Sequence, residues 1–128
     1  MFNLIYRDGA PEAAGHYEGL ETDAELKVGQ AVSLSSGKAV LASEDVKVYG
    51  IVTEPTSNGT VTVLKVERDM IFKCPVSEAP TSLYKGSRVT LNDGGGVTAT
   101  AAANNGATVV DKLDAIKAGD TIEVRFEN

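Results

Sequence analysis

Three segments of this chain share a short pattern in which a glycine leads into a β-strand. Each segment begins with an apolar residue, has a glycine three positions later, and has a second apolar residue three positions beyond that glycine. The segments are residues 26–32, 83–89 and 116–122, with the glycines Gly29, Gly86 and Gly119. Because glycine adopts a positive φ without steric cost, the pattern predicts a tight turn followed directly by a strand.

The spacing of the three copies limits the possible architectures. Gly29 and Gly86 lie 57 residues apart, whereas Gly86 and Gly119 lie 33 residues apart. A solenoid would require a constant period. The first two copies continue into similar turns, at residues 35–37 and 92–94. The pattern therefore predicts two similar hairpin units within one barrel or sandwich.

Alternating apolar and polar residues dominate the chain after residue 26 and predict many short strands. Asn58-Gly59 and Asn105-Gly106 are typical hairpin turns, while residues 77–84 and 111–118 have the spacing of short helical turns. Long amphipathic helices are absent from the pattern, which argues against a βαβ enzyme fold. We predict an all-β fold, a small β-barrel or β-sandwich with short hairpins and at most one or two short helical turns.

The beginning of the chain has a different pattern. Residues 2–6 are mostly apolar and have the length of one short strand. Residues 8–25 are acidic, contain three glycines and one proline, and show little periodicity. A structureless segment of this length is uncommon inside a compact domain and usually has a function. We therefore predict an extended N-terminal arm, residues 1–25, joined to a β-rich core domain, residues 26–128.

Composition excludes several classes of partner. The net charge of −6 disfavours binding to nucleic acid or to an anionic membrane surface. No apolar run approaches the ~20 residues of a membrane-spanning helix, and the first residues lack the pattern of a secretion signal. We expect synthesis in a cytoplasm. The single cysteine, Cys74, cannot form an internal disulfide, and its alternating surroundings predict a buried, inert thiol.

No residue pattern indicates catalysis. The single histidine, His16, lies in a loop-like stretch far from Cys74 in sequence, so neither a cysteine–histidine pair nor a zinc site is expected. Serine residues lack a recognisable base, and adjacent acidic residues do not form a carboxylate dyad. We predict that the protein is not an enzyme and has no metal ion or cofactor.

Several segments resemble tailed-bacteriophage capsid decoration proteins, which are also called head-stabilising or cement proteins. The similar segments are LKVGQAVSL at residues 26–34, SGK at 36–38, VLA at 40–42, VYGIV at 48–52 and AGDTIEVRF at 118–126. Proteins of this kind bind the outside of an expanded icosahedral shell and hold neighbouring capsid subunits together. The resemblance implies a structural virion protein on the outer capsid surface, with the major capsid protein as its partner.

A capsid-binding role for the arm is a separate, physical hypothesis. Main-chain pairing of an apolar strand with a sheet edge of the capsid would give affinity, and self-association into a homo-oligomer, a trimer more readily than a dimer, would add avidity. The alternative is that the same residues form an edge strand of the protein's own fold. The residues concerned are Phe2, Leu4, Ile5, Tyr6 and Arg7.

Other functions are compatible with the same sequence. A tail or fibre-base component of a virion would share its β-rich pattern, as would a small-barrel adaptor in a cellular complex. A glycan-binding module would normally present exposed aromatic residues, and this chain has seven aromatic residues and no tryptophan. An enzyme ranks last, because no nucleophile and base are paired.

Overall fold

A computed structural model describes residues 1–7, 16–93 and 95–126. These residues form eleven β-strands and no helix, arranged as two antiparallel sheets that pack together as a β-sandwich. The predicted fold class is confirmed, and of its two forms the structure is the sandwich. The strands are β1 (Asn3–Arg7), β2 (Tyr17–Glu21), β3 (Ala31–Ser35), β4 (Lys38–Leu41), β5 (Gly50–Ser57), β6 (Thr60–Lys65), β7 (Met70–Pro75), β8 (Arg88–Asn92), β9 (Gly96–Ala101), β10 (Ala107–Asp111) and β11 (Thr121–Arg125).

The order of strands reveals an internal duplication. One sheet has the order β2-β6-β5-β3-β4, and the other has the order β1-β7-β11-β10-β8-β9. Adding five to each strand number of the first sheet reproduces β7-β11-β10-β8-β9, which is the second sheet without β1. The chain therefore contains two units of the same topology, β2–β6 and β7–β11, and β1 is an additional strand on the second unit.

Each unit is strongly curled, so that its first strand in chain order approaches its third. In the first unit, the Thr22 hydroxyl after β2 donates a hydrogen bond of 2.8 Å to the carbonyl of Ala39 in β4. In the second unit, the N–H of Ser77 after β7 donates a 2.8 Å hydrogen bond to the carbonyl of Val97 in β9. Neither sheet closes into a barrel.

Buried side chains occupy equivalent positions in the two units. Seven apolar residues of the first unit form a cluster of their own, and the seven matching residues of the second unit are buried as well. The second set merges with the layer between the sheets, where Phe72, Phe126, Ile51 and Leu64 meet. The matched pairs are Leu20 and Cys74, Leu26 and Leu83, Val32 and Val89, Ala39 and Val97, Val52 and Val109, Val61 and Ile122, and Val63 and Val124.

The three glycine patterns form the same turn. Gly29, Gly86 and Gly119 have φ values of 88°, 94° and 90°, and the residue before each has a negative φ. The N–H that follows each glycine donates to the carbonyl three residues earlier, at 3.2, 2.9 and 3.2 Å. In a type II turn, the first carbonyl accepts from the fourth N–H, and only the third residue has a positive φ. Each of the three segments has this geometry, with glycine as the third residue. The prediction of three glycine turns is confirmed.

Each turn is also joined to a valine of a neighbouring segment by two hydrogen bonds. The glycine N–H donates to the valine carbonyl, and the valine N–H donates to the carbonyl of the residue after the glycine. All six of these bonds are between 2.7 and 3.0 Å long. The valines are Val52 for Gly29, Val109 for Gly86 and Val76 for Gly119.

The residue after each glycine closes the turn from the other side. Its side-chain oxygen accepts a hydrogen bond from the backbone N–H at the first position of the turn, at 2.9, 3.0 and 3.1 Å. Glutamine, serine and aspartate serve equally because each has an accepting oxygen. The accepting residues are Gln30, Ser87 and Asp120.

The apolar residue that opens each pattern does not behave identically in the three copies. Leu26 and Leu83 are buried, as an anchor for the incoming chain should be, but Ile116 is 75% exposed. Its neighbour Ala115 is buried in its place. The Asp120 carboxylate accepts a bond from the Ile116 N–H as well, so the third turn is held by polar contacts where the first two use a buried leucine.

Turn chemistry explains which other predictions succeeded. Ser36-Gly37 and Asn58-Gly59 have positive φ at both positions and form two-residue hairpins. Asn105-Gly106, by contrast, does not join paired strands, since β8 lies between β9 and β10. The two expected helical turns are β-turns with single hydrogen bonds, from Leu83 to Pro80 and from Ala115 to Lys112.

Asp45 fastens the equivalent connections of the two units to each other. It lies between β4 and β5, and its carboxylate accepts hydrogen bonds from the backbone N–H groups of Ala103, Asn104 and Asn105, between β9 and β10. Arg88 donates to the carbonyls of Asn104 and Asn105. The N–H groups of Asn105 and Asn104 lower the pKa of Asp45, because they favour the ionised form.

We expect Gly86→Ala to lower the free energy of unfolding by about 1–2 kcal/mol, the cost of placing a side chain at left-handed φ. No atom lies close to the position of the added methyl group, so the loss would report backbone strain alone. Gly19→Ala is the control, because Gly19 has no positive φ and its new methyl group would meet only Thr60 at 3.8 Å. Urea unfolding that shows equal stability for both variants would contradict the turn assignment.

We expect the stability gained from Asp45 to depend on pH. Since folding lowers the pKa of its carboxyl, this contribution is complete above the unfolded pKa of about 3.9 and is lost as the pH falls through the folded value. Wild type should therefore exceed Asp45→Asn in melting temperature at pH 7, and the gap should close below about pH 4. The matched control is Asp114→Asn, an exposed aspartate. A pH-independent gap would be the contrary result.

Candidate binding surface at the N-terminal flank

Two strands, β1 and β2, lie within the predicted N-terminal arm, residues 1–25. β1 pairs with β7, with Asn3 opposite Lys73 and Leu4 opposite Phe72, and β2 pairs with β6 along its whole length. β1 is thus an edge strand of the chain's own fold, which is one of the two possibilities that the sequence leaves open. The acidic residues 8–15 lie outside the described part of the chain.

Phe2 anchors this strand and is not available to a partner. Its side chain is 2% exposed and meets Phe126 edge to face, with 5.2 Å between ring centroids. Edge-to-face contacts add to the hydrophobic gain of burying such a ring. The N–H of Phe2 donates a 2.7 Å hydrogen bond to the carbonyl of Gly29, so the start of β1 is fixed to the first glycine turn.

The other predicted arm residues differ in their surroundings. Leu4 and Ile5 are exposed by 41% and 38%. Tyr6 and Arg7 pair through their backbones with Ile71 and Met70 after a bulge that follows Leu4. Phe2, just before β1, therefore lies in the core, whereas Leu4 and Ile5 of the strand itself face outward.

Three exposed apolar side chains line one cleft and define what we call the N-terminal flank: Leu4 of β1, Tyr17 of β2 and Val28 of the first glycine turn. Tyr17 is 65% exposed and Val28 is 46% exposed. Buried residues, among them Ile51 and Leu64, form the inner wall of the cleft. Contiguous exposed apolar groups are typical of surfaces that bind other molecules.

Sequence reasoning found Leu4 but missed Tyr17 and Val28. Val28 occupies the second position of a type II turn, where the side chain is at the corner and faces solvent. That position could have been identified from the glycine pattern. Tyr17 lies in a stretch without clear periodicity, and only its pairing with Leu64 of β6 brings it beside β1.

A polar group stands next to the flank on β2. The Tyr49 hydroxyl donates to both carboxylate oxygens of Glu18, at 2.8 and 2.9 Å. This hydrogen bond raises the pKa of Tyr49, because the neighbouring carboxylate disfavours phenolate. The Lys65 ammonium lies 5.9 Å from the centre of the Tyr49 ring. Glu18 and Glu21 give the strand an acidic character.

The remaining residues considered for chemistry are placed as follows. Cys74 is buried in the core, as predicted, and burial raises its pKa to about 12. His16 precedes β2 and accepts a hydrogen bond from the Lys65 N–H through its backbone carbonyl. Among the described residues, no three histidine, cysteine or acidic side chains are grouped as metal ligands.

The structure also bears on membrane crossing by helices. Across residues 1–7, 16–93 and 95–126, none of the chain forms a helix with the length and apolarity needed to span a bilayer.

In comparisons with known proteins, no family model and no curated protein matches this chain.

We expect Phe2→Ala to lower the free energy of unfolding by about 3–5 kcal/mol, as for other buried phenylalanines. Leu4→Ala should change it by less than about 1 kcal/mol, because this side chain is already partly in water. Chemical denaturation of both variants measures the difference. Equal effects would show that Phe2 does not anchor β1 in the core.

Proposed function

We propose that this protein is a structural virion component that binds the outer surface of a bacteriophage capsid and stabilises the expanded shell by bridging its subunits. The proposal rests on two supports. The first is the resemblance of residues 26–126 to capsid decoration proteins. The second is the N-terminal flank, an exposed apolar cleft on an otherwise acidic protein.

The observation that carries the proposal is the convergence of the flank residues. Leu4, Tyr17 and Val28 come from three separate segments and line one cleft while remaining in contact with solvent. A partner that covered them would bury apolar surface, which is favourable by about 25 cal/mol for each Å². A tyrosine beside aliphatic residues is a common anchor in protein interfaces.

The flank is pre-organised, which favours tight binding. β1 is paired with β7, Phe2 is packed against Phe126, and the first glycine turn is bonded to Val52. Binding through a fixed surface avoids the entropic cost of ordering a free arm. The binding hypothesis therefore moves from an arm that becomes ordered on the capsid to a rigid face that is already formed.

Shell stabilisation follows from selective binding. A protein that binds only the expanded lattice shifts the equilibrium towards that state, and the gain grows with the logarithm of its free concentration. Association of the chain with itself, as a trimer or a dimer, would allow one particle to hold several capsid subunits at once and would increase avidity. The partner in this proposal is the major capsid protein, and the location is the outside of the virion.

We expect Tyr17→Ser to weaken binding to expanded capsid shells by about tenfold or more, since interface tyrosines often contribute over about 1.4 kcal/mol. The matched control is Tyr84→Ser. Tyr84 is 71% exposed and lies just before the start of β8. The N-terminus lies near the opposite end of that strand, where Met1 is close to Gly95. Tyr84 is therefore an exposed tyrosine away from the flank. Co-sedimentation with expanded shells of the major capsid protein that the proposal names as the partner measures the affinities.

Two results would count against this proposal. Failure of the wild-type protein to sediment with expanded shells would reject capsid binding. Equal binding of wild type, Tyr17→Ser and Tyr84→Ser would reject the N-terminal flank as the contact surface. Shells without tails are used, so that a tail or fibre-base protein gives no signal.

A further inference from the structure

The internal duplication exposes a difference between the two units. In the second unit, the outer edge of β7 is covered by β1. The equivalent edge in the first unit belongs to β2, which is the terminal strand of its sheet. No strand among the described residues pairs with that edge. The fold thus contains one strand site that is filled and an equivalent one that is open.

Backbone groups at the open edge point outward in a defined pattern. The Lys65 N–H donates to the His16 carbonyl, and the Thr22 N–H donates to the Gly59 carbonyl. Because alternate residues of an antiparallel strand bond to the same neighbour, the even-numbered residues from 16 to 22 face β6. The N–H and C=O groups of Tyr17, Gly19 and Glu21 therefore face away from β6.

The filled site shows that these positions are suited to strand pairing. Leu20 of β2 is equivalent to Cys74 of β7, since both fill the same place in their units. Tyr17 and Gly19 then correspond to Ile71 and Lys73. Those two residues of β7 are the ones placed opposite Tyr6 and Asn3 of β1. The open edge thus presents the same backbone positions that β7 uses.

We propose that the outer edge of β2 binds an extended segment of the capsid subunit by antiparallel strand addition. This inference rests on the proposed function and names the contact through which it would operate. Main-chain hydrogen bonds to Tyr17, Gly19 and Glu21 would supply affinity, as in other cases of β-augmentation. Added strands also restore hydrogen bonds that an exposed edge leaves to water.

The side chains around the edge specify the chemistry of the segment. Along β2 the side chains of Tyr17 and Glu21 point to one face of the strand and that of Glu18 to the other. An apolar residue of the segment beside Tyr17 would extend the apolar surface that Tyr17 shares with Leu4 and Val28. Lysine or arginine beside Glu18 or Glu21 would be matched by opposite charge across the new strand pair. The expected occupant therefore carries an apolar residue beside Tyr17 and basic residues beside the two glutamates.

Gly19→Pro tests the edge directly. Proline removes an outward-facing N–H without removing a bond to β6, and edge strands tolerate proline at such positions. Lys85→Pro is the matched control, because Lys85 is exposed next to Tyr84 and occupies the second position of a type II turn, where proline is favoured. We expect Gly19→Pro to bind expanded shells about tenfold or more weakly, while Lys85→Pro binds as wild type does.

Hydrogen exchange of the wild-type protein gives a second readout that does not depend on the folding of a variant. We expect the amides of Tyr17, Gly19 and Glu21 to exchange more slowly on shells than in free protein. Unchanged exchange there, or full binding by Gly19→Pro, would overturn strand addition while capsid binding stood. Loss of all wild-type binding would reject the proposed function and this inference together. The same amides could also exchange more slowly as the protein concentration rises in the absence of shells. That result would assign the edge to a second copy of the chain and would also overturn the proposal.

Discussion

The structure depends on one contact used three times, a type II glycine turn joined to a valine by two reciprocal hydrogen bonds. Each turn begins a strand, and each valine belongs to the segment that this strand must meet, so the contact fixes strand order and register at once. A side chain at these positions would be strained, since φ lies near +90°. The first of these turns also receives the N–H of Phe2, which places β1 and creates the cleft at the N-terminal flank.

Duplication accounts for both the core of the fold and the place of its candidate binding surface. Seven matched side chains fill the inside of each unit, and the layer between the sheets joins the units into one core. The two copies differ at β1, which covers the edge of β7 and leaves the edge of β2 open. The proposed function uses this difference, because Tyr17, which lines the exposed apolar cleft, belongs to the strand with the open edge.

Sequence reasoning was most reliable where local geometry decides the structure. The positive φ of Gly29, Gly86 and Gly119 and the hairpins at Ser36-Gly37 and Asn58-Gly59 follow from turn chemistry alone. It failed where tertiary packing decides. Ile116 has the spacing of an anchor but faces solvent. Residues 3–7 fit either an arm or an edge strand, and only the folded chain shows that they pair with β7. The flank combines segments that only the folded chain brings together, so Tyr17 could not have been found from its neighbours.

The central claim is that this protein sits on a capsid through its N-terminal flank. A cryo-electron microscopy reconstruction of expanded shells, assembled with and without the protein, tests it most directly. Binding through the flank would add density on the outer surface, with Leu4, Tyr17 and Val28 towards the shell and an additional strand beside β2. Added density with that side facing solvent, or no added density under saturating protein, would contradict it.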